Sequence, residues 1–465
     1  MNNCTIVLFG ATGDLAKRKL LPAIYRLVAE GKLKQFLIVG LAIDESSPQQ
    51  MIDRARPFVT NADEAIWQTI TANTRYYKLN FNELHDFTSV VALIQTEEAA
   101  AQLPGNRLLY LATAAHFFCA ITEHSAQSGL ATRKRDQETP WHRIMYEKPF
   151  GQDLASAHKI NECIADHFDE SQIYRVDHFL TKELVSNIAL MRFTNLVFEP
   201  LWNNNYIEQV QIILSETIAI EGRGSYYDAY GALADVVQNH MLELLALIAM
   251  EPPRMLTGDF IRAQRAKVLE AVQVKDGILG QYEGYLDEPQ VAPNSKTDTF
   301  AALALTINNP RWQGVPFYFK TGKGLDKKET VIHIKFKNAH CLLTRGCPTD
   351  SNWLTINVAP EATFSLSLNA KKPGSSDEVV PVAMDFCHSC IFGDRAPEEA
   401  YEVVFDEVMR GEQSSSVRFD EIEYAWRVID VIHAKQLPMF RYQQGSSGPD
   451  ELKEFETQHG MKWKS

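Results

Sequence analysis

At 465 residues the chain is too long for one comfortable hydrophobic core, so two domains are expected. Its 45% hydrophobic and 23% charged residues are those of an ordinary soluble globular protein. A formal net charge of −13 disfavours nucleic acid and anionic membrane as partners, and any phosphate site must be made locally by a few aimed Lys and His residues.

The first residues run straight into an apolar stretch with no leader pattern, and no apolar run approaches the length needed to cross a bilayer. A cytoplasmic location is expected. The seven cysteines are scattered and odd in number, so no disulfide framework is read. Cys387-His388-Ser389-Cys390, with Cys341 and Cys347 upstream, matches no usual zinc pairing, and no metal site is assigned.

Residues 5–9 form an apolar, β-branched strand that ends at Gly10. A glycine turn follows, then a helix to about residue 30. Glycines let the backbone approach a pyrophosphate, and a new helix offers unpaired N–H groups and the positive end of its dipole. The spacing Gly10-x-x-Gly13-x-x-Ala16 departs from the commoner G-x-G-x-x-G, and a plain strand–turn–helix corner reads similarly. Strands are then expected at residues 36–41, 76–79, 107–112, 143–146 and 173–176. Helices are expected at residues 51–59, 84–95, 117–128 and 153–167. Such alternation predicts a Rossmann-like, doubly wound parallel sheet over residues 1–176. Ligands of these sheets sit beyond the carboxyl ends of the strands. Gly10, Thr113, Glu147-Lys148 and Asp177-His178 each lie just past such an end and converge on one edge.

Beyond residue 176 the texture changes. Residues 209–215, 301–307, 315–319, 331–336, 354–358 and 363–368 read as strands and 231–250 as a long helix. Residues 373–378 read as a polar loop, and 400–410 and 420–433 as closing helices. Residues 177–465 are therefore expected to form an α+β domain for substrate binding and oligomerisation, with a large, mainly antiparallel sheet.

Four stretches can carry chemistry. In Asp177-His178-Phe179-Leu180-Thr181-Lys182, a helix starting near Leu180 would place His178 and Lys182 one turn apart, able to hold one anion; a solvated helix start with a charged cap fits equally. His240 shares an apolar stripe with Val236, Leu244 and Ile248; it is either a hydrogen-bonded core residue or, beside Asp177 or Asp235, a general base. Lys148, in Glu147-Lys148-Pro149-Phe150-Gly151, is either a solvent lysine on a turn or a ligand for cofactor and substrate oxygens, and Pro149 is a candidate cis residue. Lys320 and Lys323 flank a glycine-containing turn, read as a charged surface turn or a substrate contact.

In this order the stretches resemble the glucose-6-phosphate dehydrogenase family over nearly the whole chain. Gly10 to Leu20 is similar to its G-A-x-G-D-L-A-x-R-K-L, Glu147 to Gly151 to its E-K-P-F-G, and Arg175 to Glu183 to its R-I-D-H-Y-L-G-K-E. Glu221-Gly222-Arg223-Gly224, Gln238-Asn239-His240 and Val315 to Lys323 resemble its E-G-R-G, Q-N-H and V-P-F-x-x-R-T-G-K. The resemblance implies oxidation of a cyclic hexose 6-phosphate to a lactone, with hydride passing to NADP or NAD. It assigns His240 as the base for the C1 hydroxyl and Asp177 as the carboxylate that orients it. It gives the phosphate to His178 and Lys182, and the sugar hydroxyls to Lys148, Glu216, Asp235 and Lys323. It gives the cofactor to Gly10, Gly13, Asp14, Leu15, Arg18, Thr113 and Lys148. It also implies a homodimer or homotetramer paired through the second-domain sheet.

The departures are specific. Where the family carries Arg after the second strand to grip a 2′-phosphate, this chain has Ile43, and Asp44 suits a ribose hydroxyl. That tilts the expectation toward NAD, although Arg18 or Lys19 can still serve NADP. The family's A-T-P-P reads Ala112-Thr113-Ala114-Ala115, its signature Tyr is Phe179, and Ala234, Lys320 and Lys328 stand at common Arg positions. Two alternatives follow: a paralogue for an amino or deoxy hexose phosphate, or a catalytically weak nucleotide sensor. Retention of Asp177, His178, Lys182 and His240 together argues against the sensor.

Overall fold

The computed structural model describes residues 2–134, 138–177, 179–338, 351–360, 362–375, 378–387 and 399–464. His178, Cys341, Cys347 and the His388–Ser389–Cys390 part of the C-x-x-C therefore lie outside the described residues. The chain forms two compact units. The first is residues 1–181 with two later segments, 257–262 and 398–423; the second holds the remainder.

The first unit is a six-stranded parallel sheet, with β1 (Asn2–Phe9), β2 (Leu33–Ala42), β3 (Thr74–Lys78), β4 (Arg107–Leu111), β5 (His142–Tyr146) and β6 (Ile173–Arg175) in the order 3-2-1-4-5-6. That order makes the gap between β1 and β4 the switch point where chain crossings reverse direction. β1 is apolar on both faces because both are covered. Cys4, Ile6 and Leu8 pack into one core, and Val7 and Phe9 into the other. The first core is closed by helices Leu21–Ala29 and Pro48–Ala55, the second by Leu84–Ala100 and Phe118–Gln127. Helix Leu154–His167 begins with a capping box between Asp153 and Ser156.

Helix Ala400–Arg410 belongs to this first core, through Val404, Phe405 and Val408, and does not close the second domain as its position in the chain had suggested. Helix Glu64–Ala72 has no counterpart among the expected elements; its short amphipathic face rests on Trp67 and Ile70.

The second unit centres on a nine-stranded sheet. Its strands are β7 (Ile207–Ser215), β8 (Val272–Tyr282), β9 (Phe300–Ile307), β10 (Pro316–Gly322), β11 (Glu329–Phe336), β12 (Trp353–Ala359), β13 (Thr363–Lys371), β14 (Val379–Cys387) and β15 (Met439–Tyr442). The order is 14-13-12-11-7-10-9-8-15. Most pairs are antiparallel, but β7 with β10 and β8 with β15 are parallel, so the sheet is mixed.

The expected long helix is a helical run over Gly224–Ala249 that kinks at Gly231 (φ 63°) and widens to π-helix over Leu233–Met241. It is long and apolar enough to cross a membrane by composition, against the sequence expectation, yet 89% of that apolar window is buried inside the protein. Its last carbonyls do not lack partners. Arg192 donates to the Ile248 and Met250 carbonyls at 2.8 and 3.0 Å, Trp202 to Ile248 and Trp312 to Ala249, both at 2.8 Å.

In the first unit, the start of β4 is fixed by a buried pair. Arg107 donates to both Glu98 carboxylate oxygens at 2.9 and 2.7 Å and also to the Gly129 and Leu130 carbonyls. Arg107→Ala leaves the Glu98 charge buried and unpaired. Chemical denaturation should show a loss of about 3–5 kcal/mol in unfolding free energy, with cofactor affinity unchanged because the pair sits at the opposite end of the strand from Gly10.

Candidate active site

At the carboxyl edge of the first sheet, the Gly10 amide donates to the Leu41 carbonyl at 2.8 Å, and the Ala112 amide to the Phe9 carbonyl at 3.0 Å. The turn is thereby welded between the ends of β2 and β4. Gly10 has φ +78°, and a Cβ on it would lie 2.4 Å from the Ala112 oxygen, so only glycine fits. Gly13 closes the turn by donating to the Gly10 carbonyl at 2.9 Å. Ala16–Leu20 then opens as a π-helical turn before the α-helix begins at Leu21.

Asp14 is exposed and pairs with Lys17 at 3.0 Å and Arg18 at 2.8 Å; hydrogen bonds from Arg18 and then Lys17 lower its pKa. Arg18 also lies over the Phe58 ring at 5.1 Å. Leu15 packs partly buried against the first core. Thr113, two residues beyond the end of β4 and next to Gly10, has a buried hydroxyl with no hydrogen-bond partner. A turn that admits no side chain and an orphaned hydroxyl beside it are what a dinucleotide would fill, so the residues present fit such a cofactor. At the end of β2, Ile43 is exposed, and Asp44 accepts from Thr12 Oγ1 at 3.0 Å, beside the same turn.

Past β5, Lys148–Pro149 is a cis peptide bond. Glu147 is buried and accepts from the Tyr110 and Tyr401 hydroxyls; burial raises its pKa and the tyrosine hydrogen bonds oppose that rise. Past β6, Asp177 is 4% exposed, and its carboxylate accepts the Phe179 amide at 2.8 Å, holding the 177–180 turn. Burial first, then Glu147 and Asp177, push the Tyr401 hydroxyl well above its ordinary range. Tyr401 carries no local motif, because its neighbours are more than two hundred residues distant in the chain.

The expected helix start near Leu180 is not found. The helix runs over Glu183–Thr194 with Lys182 at its N-cap, and the residues before it form turns. The Asp177 cap and the Leu180 amide donation to the Asp177 carbonyl at 3.1 Å keep the backbone turned. His178 lies outside the described residues, and its expected pairing with Lys182 lies there with it.

The second unit gathers the other candidates. His240 is 4% exposed on the π-helical stretch, with Val236, Leu244 and Ile248 all buried. Asp235, two residues into the same stretch, accepts from the Tyr226 hydroxyl at 3.4 Å. Because β7 and β10 run parallel, Glu216 and Lys323, which follow their last residues, lie at the same end of the sheet. Lys323 donates to Glu216, and its ammonium stands 3.9 Å from Asp235. Lys323 is 3% exposed, so the surface-turn alternative is overturned. Lys320, on β10, faces the Trp463 ring at 5.3 Å, and burial lowers its pKa. Tyr227 was not anticipated: its ring lies 5.6 Å from the Lys323 ammonium and its buried hydroxyl has no hydrogen-bond partner.

Comparison with known proteins agrees with this layout. Residues 7–187 match the model of the glucose-6-phosphate dehydrogenase NAD binding domain, and residues 189–464 that of its C-terminal domain. A glucose-6-phosphate 1-dehydrogenase of Chlamydia pneumoniae is 37% identical, covering 99% of this chain and 96% of its own. That of Bacillus subtilis is 37% identical, covering 98% and 97%. A solved glucose-6-phosphate dehydrogenase in complex with its substrate glucose-6-phosphate superposes with a TM-score of 0.91 at 31% identity, over 100% of this chain and 99% of the other. By its sequence over both units and by its fold, the chain belongs to the glucose-6-phosphate dehydrogenase family.

Proposed function

We propose that this chain is a working glucose-6-phosphate 1-dehydrogenase, oxidising the C1 hydroxyl of glucose 6-phosphate to the 6-phosphoglucono-lactone in the cytoplasm. The observation that carries the reading is that, within one unit, buried His240 shares its π-helical stretch with Asp235, whose carboxylate clusters with Lys323 and Glu216. An imidazole held on a fixed helix can act as the general base for a hydroxyl. The family resemblance gives Asp177, buried past β6, the role of the carboxylate that would stabilise the imidazolium. Lys148, Glu216, Asp235 and Lys323 hold the sugar hydroxyls; His178 and Lys182 hold the phosphate. The turn at Gly10, Gly13, Asp14, Leu15 and Arg18, with Thr113 and Lys148, holds a nicotinamide dinucleotide. When bound, that cofactor supplies the hydride acceptor. His240 takes the proton of the C1 hydroxyl, and the bound dinucleotide would accept the hydride that C1 gives up in the same oxidation.

NAD is the preferred form in this reading. The carboxylate of Asp44 stands beside the glycine turn with Ile43 exposed next to it, which suits a ribose diol and repels a 2′-phosphate.

A homodimer or homotetramer is also proposed. β14 is the last strand of its sheet, and Val382, Met384 and Phe386 point to one face, 42%, 62% and 37% exposed. They pair with Leu368, Leu366 and Phe364 of β13, and these in turn continue the face onto Leu354 and Ile356 of β12. An apolar face that becomes more exposed toward the sheet edge suits a second copy.

Three experiments test these readings. With glucose 6-phosphate as substrate and reduced cofactor followed by absorbance, His240→Asn should lower kcat about a thousandfold while the dinucleotide dissociation constant stays unchanged. Turnover that survives would remove His240 as the base. In the same assay kcat/KM should be at least about tenfold higher with NAD than with NADP, and Ile43→Arg with Asp44→Ser should reverse the preference. Met384→Asp should convert the oligomer to a smaller species in light scattering, because a buried unpaired carboxylate opposes association.

A further inference from the structure

The polar cluster of the second unit is held by a segment that none of the motifs contains. Asp298 lies in the connection just before β9 and is 8% exposed. Its carboxylate oxygen Oδ2 accepts the Leu233 amide at 2.8 Å, and its backbone carbonyl accepts the Ala232 amide, also at 2.8 Å. These are the first amides of the π-helical stretch that carries Asp235 and His240. One residue from a distant part of the chain therefore takes up the Ala232 amide and shares the Leu233 amide with the Tyr230 carbonyl at the kink.

The approach is close. Gly231 has φ +63°, and a Cβ there would lie 2.7 Å from Asp298 Oδ1, so the kink exists where a side chain would block the carboxylate. Burial pushes the Asp298 carboxyl up to about 6, opposed by the bond from the Leu233 amide. A neutral residue would avoid that penalty. The penalty is tolerated at a point where a negative group faces the positive end of a helix.

The next residue anchors the other half of the cluster. The Lys323 amide donates to the Thr299 carbonyl at 2.9 Å. The Thr299 hydroxyl accepts the Tyr282 amide and lies 2.9 Å from the Tyr442 hydroxyl, which donates to the Lys323 carbonyl at 2.7 Å. The segment does not float. Thr297 donates to the Asp228 carbonyl at 2.7 Å, and Gln281 donates to the Ser295 and Thr297 carbonyls.

We infer that Asp298 is a positioning residue for the reaction: with Thr299 it sets the register between the helix bearing Asp235 and His240 and the strand end bearing Lys323. This rests on the function proposed above. Asp298 touches neither substrate nor cofactor in this role. It acts by fixing where the Asp235 carboxylate and the His240 imidazole stand relative to the Lys323 ammonium, and displacement by less than an ångström is enough to disturb such an arrangement.

Three variants test it. Asp298→Asn keeps an oxygen that accepts the Leu233 amide; Asp298→Ala removes it; Asp298→Glu keeps the charge but lengthens the side chain and pushes the helix start. kcat and KM for glucose 6-phosphate, dinucleotide affinity, and amide hydrogen exchange across residues 232–241 are measured on each folded protein. Asn should stay within about fivefold of the parent in kcat/KM, whereas Ala and Glu should lose at least about tenfold. Dinucleotide affinity should not change, and exchange across residues 232–241 should quicken in Ala and Glu only. If Ala does not fold, Glu carries the test. A folded Glu variant with parental kcat/KM, or parental exchange over residues 232–241, overturns the inference, as does an Asn variant as impaired as Glu. Should the parent itself turn over no sugar phosphate, the proposed activity fails, and the exchange measurement still decides whether Asp298 holds the helix.

Discussion

The part of the helical run beyond the Gly231 kink, which carries His240, is anchored at both ends by buried side chains, and the arrangement of the second unit depends on that restraint. At the carboxyl end Arg192, Trp202 and Trp312 take up the carbonyls of residues 248–250. At the amino end Asp298 takes up the amides of residues 232 and 233. Between them lies a stretch of π-helix, a geometry with poorer hydrogen bonding than α-helix, found mostly as single turns and often at functional sites. A wide turn is kept here because the ends leave the run no freedom to relax, and Asp235 and His240 both sit on it.

Electrostatics follows a similar logic of local restraint. The chain carries a net charge of −13, and in the polar cluster of the second unit Lys323 is held beside Glu216 and Asp235. At the glycine turn, Arg18 and Lys17 are paired with Asp14, and Lys19 with Glu399. The exposed pairs at the turn are weak individually, so they are available for exchange with a phosphate. The buried Lys323 is different in kind. Its carboxylate partners fix the ammonium, and removing either would leave a charge in a poorly solvated place.

Much of the first unit was legible because its signals are local. The run Thr5 to Phe9 followed by Gly10 needs only neighbouring residues to be read, and Asp153 announces its helix by its own cap. In the second unit β7, β9 and β10 were legible from their apolar runs. β8 and β14 were not, since Val-Lys-Asp-Gly and Val-Val-Pro interrupt the pattern that marks a strand. The helix start at Glu183 was misplaced by three residues because the Asp177 cap, a short-range bond made by a side chain, stabilises turns where helix propensity alone would begin the helix. The partners that shape the site were the least legible. Tyr401 reaches Glu147 from a helix that reads as a closing element, and Asp298 reaches Leu233 across sixty-five residues. Neither has a motif, because neither needs a particular neighbour in sequence.

Parallel pairing in the middle of a largely antiparallel sheet completes the account. Two hairpin-connected strands end at opposite edges, so their terminal side chains cannot meet. β7 and β10 are separated by a hundred residues that contain the whole helical run and two further strands, and they return side by side in the same direction. That return brings Glu216 and Lys323 to one sheet end, and the helical run emerging directly from β7 supplies Asp235 to the same end. The crossover is therefore what converts three residues, far apart in the chain, into one charged cluster. A strictly antiparallel sheet would have separated them.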